Sequence, residues 1–249
     1  MSDKIRQNSI PTGRPRFATT HWSVVLAAGK SSAPRQKQAL ETLCQSYWFP
    51  LYAYLRRRGY ETHQAEDLTQ AFFAHILEKK DLRTADPKCG KFRSFLLVRL
   101  KGFLSDERDR AQAKKRGGGQ KILSLAIQNA EGKYALEPSS QLSPEMLFEK
   151  SWALKVLERT MDRVEADMAK KGKQELFDHL KVYLTTDKDA IPYEAVATEL
   201  SMTEGSVRVA VHRLRRQYRR LLRDEIAQTV ANEDQIDEEM GALFSALAY

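Results

Sequence analysis

The 249-residue chain lacks the features that mark several protein classes. Its only cysteines, Cys44 and Cys89, are too few for a disulfide scaffold and do not form a metal-ligand pair. No apolar run reaches the ~18–20 residues that cross a membrane, and the basic segment 1–16 has no apolar stretch of the kind found in secretory signals. We therefore expect a cytoplasmic protein without a membrane segment.

Signatures of catalysis are also missing. No glycine-rich phosphate loop precedes a helix, since the glycines at 117–119 follow one. The five histidines show no metal-ligand spacing. We expect no enzymatic activity, no catalytic residue, no cofactor and no bound metal.

Positive charge is what the chain has in excess. Lys and Arg number 41 against 33 Asp and Glu, which gives a formal charge of +8. Spread evenly, this charge would indicate only solubility. Concentrated on particular helices, it would indicate a nucleic-acid partner.

The apolar pattern is helical throughout. Apolar residues recur at spacings of three and four, and no run of β-branched residues alternates with period two. We predict an all-α fold with two helical domains joined by a flexible linker. The predicted segments are an N-terminal extension at 1–46, a helical domain at 47–116 with helices at about 47–80 and 92–115, a linker at 117–143 with a short apolar element at 122–127, a second helical domain at 144–223, and an acidic and apolar tail at 224–249.

The best-defined local pattern is a pair of helices near the C-terminus. Residues 192–200 and 204–223 read as helices joined by a tight turn, with Thr203 as a suitable N-cap for the second. Val207, Val211 and Leu214 keep that helix packed inward. This arrangement is typical of a helix-turn-helix, whose second helix lies in the DNA major groove.

Arginine is concentrated on the second helix of the pair. No acidic residue and no lysine lies between Gly205 and Arg223. A solvated helix face is the alternative interpretation, but such a face usually mixes charge signs. Arginine suits forked contacts to phosphate or guanine. The arginines are Arg208, Arg213, Arg215, Arg216, Arg219, Arg220 and Arg223.

The residues at 193–197, 201–208 and 214–216 resemble domain four of bacterial sigma factors, most closely the extracytoplasmic-function (ECF) type. The resemblance implies that the helix pair reads the minus-thirty-five promoter element and docks on the flap of RNA polymerase. The implied base-reading and phosphate-binding residues are Arg208, Val209, His212, Arg213 and Arg216.

Two segments of the first domain resemble sigma domain two. The segment 64–77 is similar to the helix that binds the polymerase clamp, which implies polymerase contacts by Asp67, Gln70, Phe73 and Leu77. From the residues alone, helix capping by Asp67 and packing in a bundle core by Phe73 remain alternatives.

The segment 92–110 is similar to the helix that melts the minus-ten element and holds the non-template strand. The resemblance implies contacts by Arg83, Lys88, Arg93, Arg99, Lys101 and Arg108. Gly102 departs from the asparagine common in the family. Phe92 and Phe95 fall on the apolar stripe and are expected in the core.

The acidic tail leaves three interpretations open. It carries seven Asp and Glu residues from Asp224 to Glu239, with no Lys or Arg among them, and ends in mostly apolar residues. A frayed, solubilising tail is the simplest. The others are an autoinhibitory tail, with acidic residues over the Arg-rich helix while Leu243, Phe244 and Leu247 dock, and a peptide that docks on a partner.

The resemblance covers about two-thirds of the chain and predicts a sigma factor that binds core RNA polymerase at its clamp and flap. Its other expected partners are promoter DNA, both double-stranded and as the melted non-template strand, and an anti-sigma factor or another regulator. The alternative is a helix-turn-helix transcriptional regulator that is not a polymerase subunit.

Overall fold

The computed structural model describes residues 33–78, 82, 85–86, 90–113, 130–135, 142–186 and 191–248. Within these ranges the chain is helical and contains no strand, so the all-α prediction is confirmed there. The helices are α1 (Ala33–Arg57), α2 (Thr62–Glu78), α3 (Phe92–Ala113), α4 (Ala130–Ala135), α5 (Pro144–Ala169), α6 (Gln174–Leu180), α7 (Val182–Thr185), α8 (Tyr193–Glu199), α9 (Glu204–Ala227) and α10 (Ile236–Leu247), with a 3₁₀ turn at Glu233–Gln235.

The helical stretch predicted at 47–80 is two helices, and the first begins upstream at Ala33. Gly59 separates them with φ +91°, a left-handed conformation that residues with a side chain rarely adopt. The amide of Tyr60 then donates to the carbonyl of Leu55 at 3.2 Å, which closes the end of α1. The sequence pattern missed this break because apolar residues continue on both sides of it.

A first apolar cluster is formed by α1, α2 and α3, together with the first half of α5, the end of α9 and one side of α10. Leu51, Phe72 and Leu100 at its centre have no exposed surface. Tyr47 and Phe92 meet edge to face with ring centroids 5.5 Å apart. The core position expected for Phe92 is therefore confirmed.

A second apolar cluster lies within the C-terminal helices. It includes Phe177 from α6 and Val207 and Val211 from α9, all nearly or fully buried. Because Trp152 belongs to the first cluster and Val164 to the second, the clusters meet within α5. The structure thus places the first turns of the predicted second domain against the predicted first domain.

The segments predicted as linker and tail both contain helices. In the linker, α4 packs on α1, and Glu131 accepts hydrogen bonds from the Arg56 guanidinium at 2.8 and 3.1 Å. The apolar element predicted at 122–127 lies outside the described residues. In the tail, residues 236–247 form α10, so the frayed conformation expected for this segment is wrong.

Among the helices that the structure describes, none combines the length and the apolar character that a membrane crossing requires.

Candidate nucleic-acid interface

The helices α8 and α9 are joined by a tight turn, as the sequence predicted. The amide of Met202 donates to the carbonyl of Ala197 at 2.9 Å, and the amide of Ser201 donates to the carbonyl of Thr198 at 3.2 Å. Ser201 has φ +52°, a left-handed conformation that reverses the chain within a single residue. This turn fixes the direction in which α9 leaves α8.

The start of α9 is held by the predicted cap. The hydroxyl oxygen of Thr203 accepts a hydrogen bond from the amide of Ser206 at 3.2 Å, satisfying one amide that has no partner within the helix. Val207, Val211 and Leu214 face the second apolar cluster and are at most 3% exposed. The core therefore sets which side of α9 faces outward.

We name the outward side of α9 between Arg208 and Arg216 the recognition face. All of its members are exposed, and they are the five residues that the sequence analysis assigned to the minus-thirty-five element: Arg208, Val209, His212, Arg213 and Arg216. Val209 is 49% exposed although it is apolar. A basic surface with one apolar side chain at its centre thus projects from a helix anchored in the core.

One member of the recognition face already has intramolecular partners. The Arg208 guanidinium lies 2.6 Å from the Glu204 carboxylate, one turn earlier, and 5.4 Å from the centre of the Tyr193 ring. Both partners of this exposed pair are accessible to water, so its contribution to stability is small. Glu204 orients Arg208 without removing it from solvent.

Arg215 has a structural role that the sequence analysis did not distinguish. Its guanidinium donates to the backbone carbonyl of Tyr183 at 2.9 and 3.1 Å and ties α9 to α7. Arg215 lies one helical turn after the buried Val211 and directly follows the buried Leu214. This position near the inner side of α9 could have distinguished it from Arg213 and Arg216. It belongs to the packing of the helix-turn-helix.

A groove of about 660 Å³ adjoins the recognition face, and Val209 and Arg213 are part of its lining. Leu176, Leu180 and Met202 contribute apolar surface, while Lys171 and Lys173 add positive charge. The basic surface therefore extends from α9 to the loop that follows α5.

The residues predicted to contact the minus-ten element do not share one environment. Arg83 and Lys88 lie outside the described residues. Arg108 is exposed at the far end of α3, and Arg99 is half-buried, with its guanidinium 5.2 Å from the centre of the Phe95 ring. Lys101 is exposed and lies 2.8 Å from the Glu145 carboxylate at the start of α5.

Arg93 differs most from the expectation of an exposed basic side on α3. It is 4% exposed, its guanidinium lies over the Trp152 ring at 4.0 Å, and it pairs with Glu149 at 2.5 Å and with Glu239 of α10. Burial alone would lower the pKa of Arg93, but the two carboxylates raise it above its usual value. In this conformation Arg93 is a buried group that links three helices.

A second cavity, of about 500 Å³, lies between α1, α3 and the start of α5. Lys101 and Arg108 line it together with Arg58, which the sequence analysis had not selected. The run of three arginines at 56–58 is the feature of the sequence that could have indicated Arg58 as part of a basic site. Three cations around one opening could bind a phosphate, with Glu145 as the anion now present.

The residues predicted to bind polymerase are divided between surface and core. On α2, Asp67 is exposed and Gln70 is half-buried. Phe73 is 5% exposed and packs against Phe72 with ring centroids 6.1 Å apart, so the bundle-core alternative describes it in this structure. The side chain of Leu77 lies outside the described part of the chain.

No three His, Cys, Asp or Glu side chains in the described residues are grouped so that they could hold a metal ion.

A comparison of the chain with models of protein families, with curated proteins and with solved structures finds no match.

Proposed function

We propose that the protein is a sigma factor of the extracytoplasmic-function type, which binds core RNA polymerase in the cytoplasm and directs it to promoters. The observation that carries the proposal is the recognition face. A capped, Arg-rich helix follows a tight turn, its inner side is fixed by the core, and its five predicted DNA-contacting residues are exposed together. The resemblance of segments 64–77 and 92–110 to sigma domain two extends the proposal from DNA binding to polymerase.

Physical chemistry indicates how the recognition face would read a duplex. The N-terminal half of α9 would enter the major groove, where Arg213 can form a forked contact with guanine and Arg216 can bind a phosphate. The apolar Val209 offers van der Waals contact with a thymine methyl group instead of a hydrogen bond. Sequence readout by this helix therefore combines guanine and thymine contacts.

The first half of the chain would supply the contacts to polymerase and to the melted strand. Asp67 and Gln70 on α2 are the accessible residues for the clamp, whereas Phe73 would support α2 from inside. On α3, Lys101 and Arg108 form a basic side suited to the phosphates of a single strand. The segment 117–143 would connect the two promoter-reading parts.

The decisive experiment measures polymerase association and promoter-dependent transcription with the full-length chain. We expect retention by core RNA polymerase and start sites that depend on the chain. Binding to duplex DNA without polymerase association would favour the alternative, a helix-turn-helix regulator that is not a polymerase subunit.

Two matched pairs of variants separate the two contacts. Arg213→Ala should weaken duplex binding by roughly tenfold or more, whereas Arg110→Ala, an exposed cation near the end of α3, should not. Asp67→Lys should weaken polymerase association, whereas Glu61→Lys, the same charge change just before α2, should not. Equal effects within either pair would contradict the assignment of that residue.

A further inference from the structure

Helix α10 is part of the first apolar cluster. Leu243 has no exposed surface, and Ile236 and Ala246 are 7% and 5% exposed, all in the cluster formed mainly by α1, α2 and α3. The C-terminal segment is therefore docked mainly on α5 and α9, and it reaches the start of α3 through its carboxylates.

The carboxylates of α10 are directed at the start of α3. Glu239 is fully buried, pairs with Arg93, and lies 2.8 Å from the Lys91 ammonium group. Glu238 lies 3.5 Å from the same ammonium group. Arg93, one of the predicted strand-binding residues, and Lys91, which directly precedes α3, are thus occupied by acidic groups of the same chain.

The third acidic residue of this turn reaches the Arg-rich helix only at its far end. Asp237 lies 2.5 Å from Arg223, well beyond the recognition face. The arrangement therefore differs from the one considered for an autoinhibitory tail, in which acidic residues cover the Arg-rich helix. The recognition face stays open while the start of α3 is covered.

We propose that α10 is an autoinhibitory element that keeps Lys91 and Arg93 from nucleic-acid phosphates. This inference rests on the proposed function of α3 in binding the melted strand. A carboxylate and a phosphate compete for the same cation, so α10 must leave before Lys91 and Arg93 can bind DNA, and Arg93 must in addition exchange Glu149 for a phosphate. If the undocked form is a minor fraction of the molecules, the apparent affinity for the strand is reduced by that fraction.

The test uses charge reversal on the exposed side of α10. Asp237 and Glu238 side chains are 80% and 74% exposed, so D237K/E238K repels Arg223 and Lys91 without altering the core. The control E233K/D234K introduces the same charge in the preceding turn, where both side chains are exposed. Any general effect of added positive charge appears equally in both variants.

Docking of α10 is measured as a distance between spin labels. Cysteines at two exposed positions, Gln64 on α2 and Ser245 on α10, replace the native residues in a Cys89→Ser chain, and Cys44 is buried. We expect one narrow distance distribution in the wild type and in the control, and a second, longer distance in D237K/E238K. Glu239→Gln, which removes the buried charge without adding a positive one, should shift the distribution in the same direction.

The functional measurement is binding of a single-stranded oligonucleotide with the non-template minus-ten sequence at low salt. We expect D237K/E238K to bind at least tenfold more tightly than the control, because an open form that is a tenth of the molecules or fewer becomes the major form. Identical distance distributions in the two variants, or equal oligonucleotide affinities, would overturn the inference. Failure of the proposed function would be seen separately, because the wild-type chain would then not bind core RNA polymerase.

Discussion

Replacing Arg93 by alanine should destabilise the fold strongly. The side chain of Glu239 has 0% exposure and pairs with Arg93 and Lys91. After the change, Lys91 at 2.8 Å is the one cation among the described residues that still pairs with this carboxylate. Removing one partner of a buried ion pair costs about 3–5 kcal/mol. Loss of the contact with the Trp152 ring costs about 0.5–2 kcal/mol more. Because Lys91 compensates part of this, we expect the free energy of unfolding to fall by about 3–5 kcal/mol.

The assay is urea denaturation followed by far-UV circular dichroism. Two comparisons locate the cause of the loss. Arg208→Ala, which breaks an exposed pair, should cost less than about 1 kcal/mol. The double change Arg93→Met with Glu239→Leu, which removes both buried charges, should recover most of the stability. A loss below about 1 kcal/mol for Arg93→Ala would refute the reasoning, because it would place this ion pair in the class of solvated surface pairs.

Three further predictions concern separate parts of the fold. Gly59→Ala should lower the free energy of unfolding by about 1–2 kcal/mol, because the φ of +91° is unfavourable for a residue with a side chain. Gly102→Ala should raise it by about 0.5–1 kcal/mol, because Gly102 lies in the interior of α3 with open space for a methyl group. Denaturation curves shifted in the same direction by both changes would contradict this. The hydrogen bond from Arg56 holds the pKa of Glu131 below its usual 4.5, so its stabilising effect is present above that pH and is lost as the pH falls through the lower folded value. Glu131→Gln should therefore flatten the acid side of the melting-temperature profile, and an unchanged slope would count against it. Burial raises the pKa of Cys44 to about 12. In a Cys89→Ser chain, a thiol reagent at neutral pH should therefore react with Cys44 only after denaturation. Full reaction of the native protein would disprove the burial of this thiol.

Features that depend on neighbouring residues were predictable from the sequence. The cap at Thr203 and the buried positions Val207 and Val211 follow from local spacing, and together they determine the outward side of α9. Ser143 caps α5 in the same way, accepting a hydrogen bond from the amide of Met146 at 3.1 Å. Local chemistry was sufficient here because all partners lie within one or two helical turns.

The environment of Arg93 could not be predicted in this way. Its partners Glu149 and Glu239 are 56 and 146 residues away along the chain. A basic side chain beside exposed neighbours is expected in solvent unless distant carboxylates approach it. Phe73 is a similar case: its second apolar face suggested a partner, but the fold buries it against Phe72.

The tail shows how composition can mislead. Its many acidic residues and the lack of any cation suggested a frayed segment, because like charges repel. The structure places their counter-charges on other helices, with Lys91 and Arg93 on α3 and Arg223 on α9. Apolar residues at Ile236, Leu243 and Ala246 then lie on one side of α10, a periodicity that was present in the sequence.

The continuity of α5 has a consequence for how the molecule unfolds. The helix has 26 residues and is about 39 Å long. Near its middle, Arg159 donates to the Ser46 hydroxyl of α1 at 2.6 Å, and Arg163 pairs with Glu225 of α9. Neither apolar cluster can open fully without disrupting a helix that the other requires. We therefore expect one cooperative transition, in which the central amides of α5 exchange their hydrogens only through global unfolding.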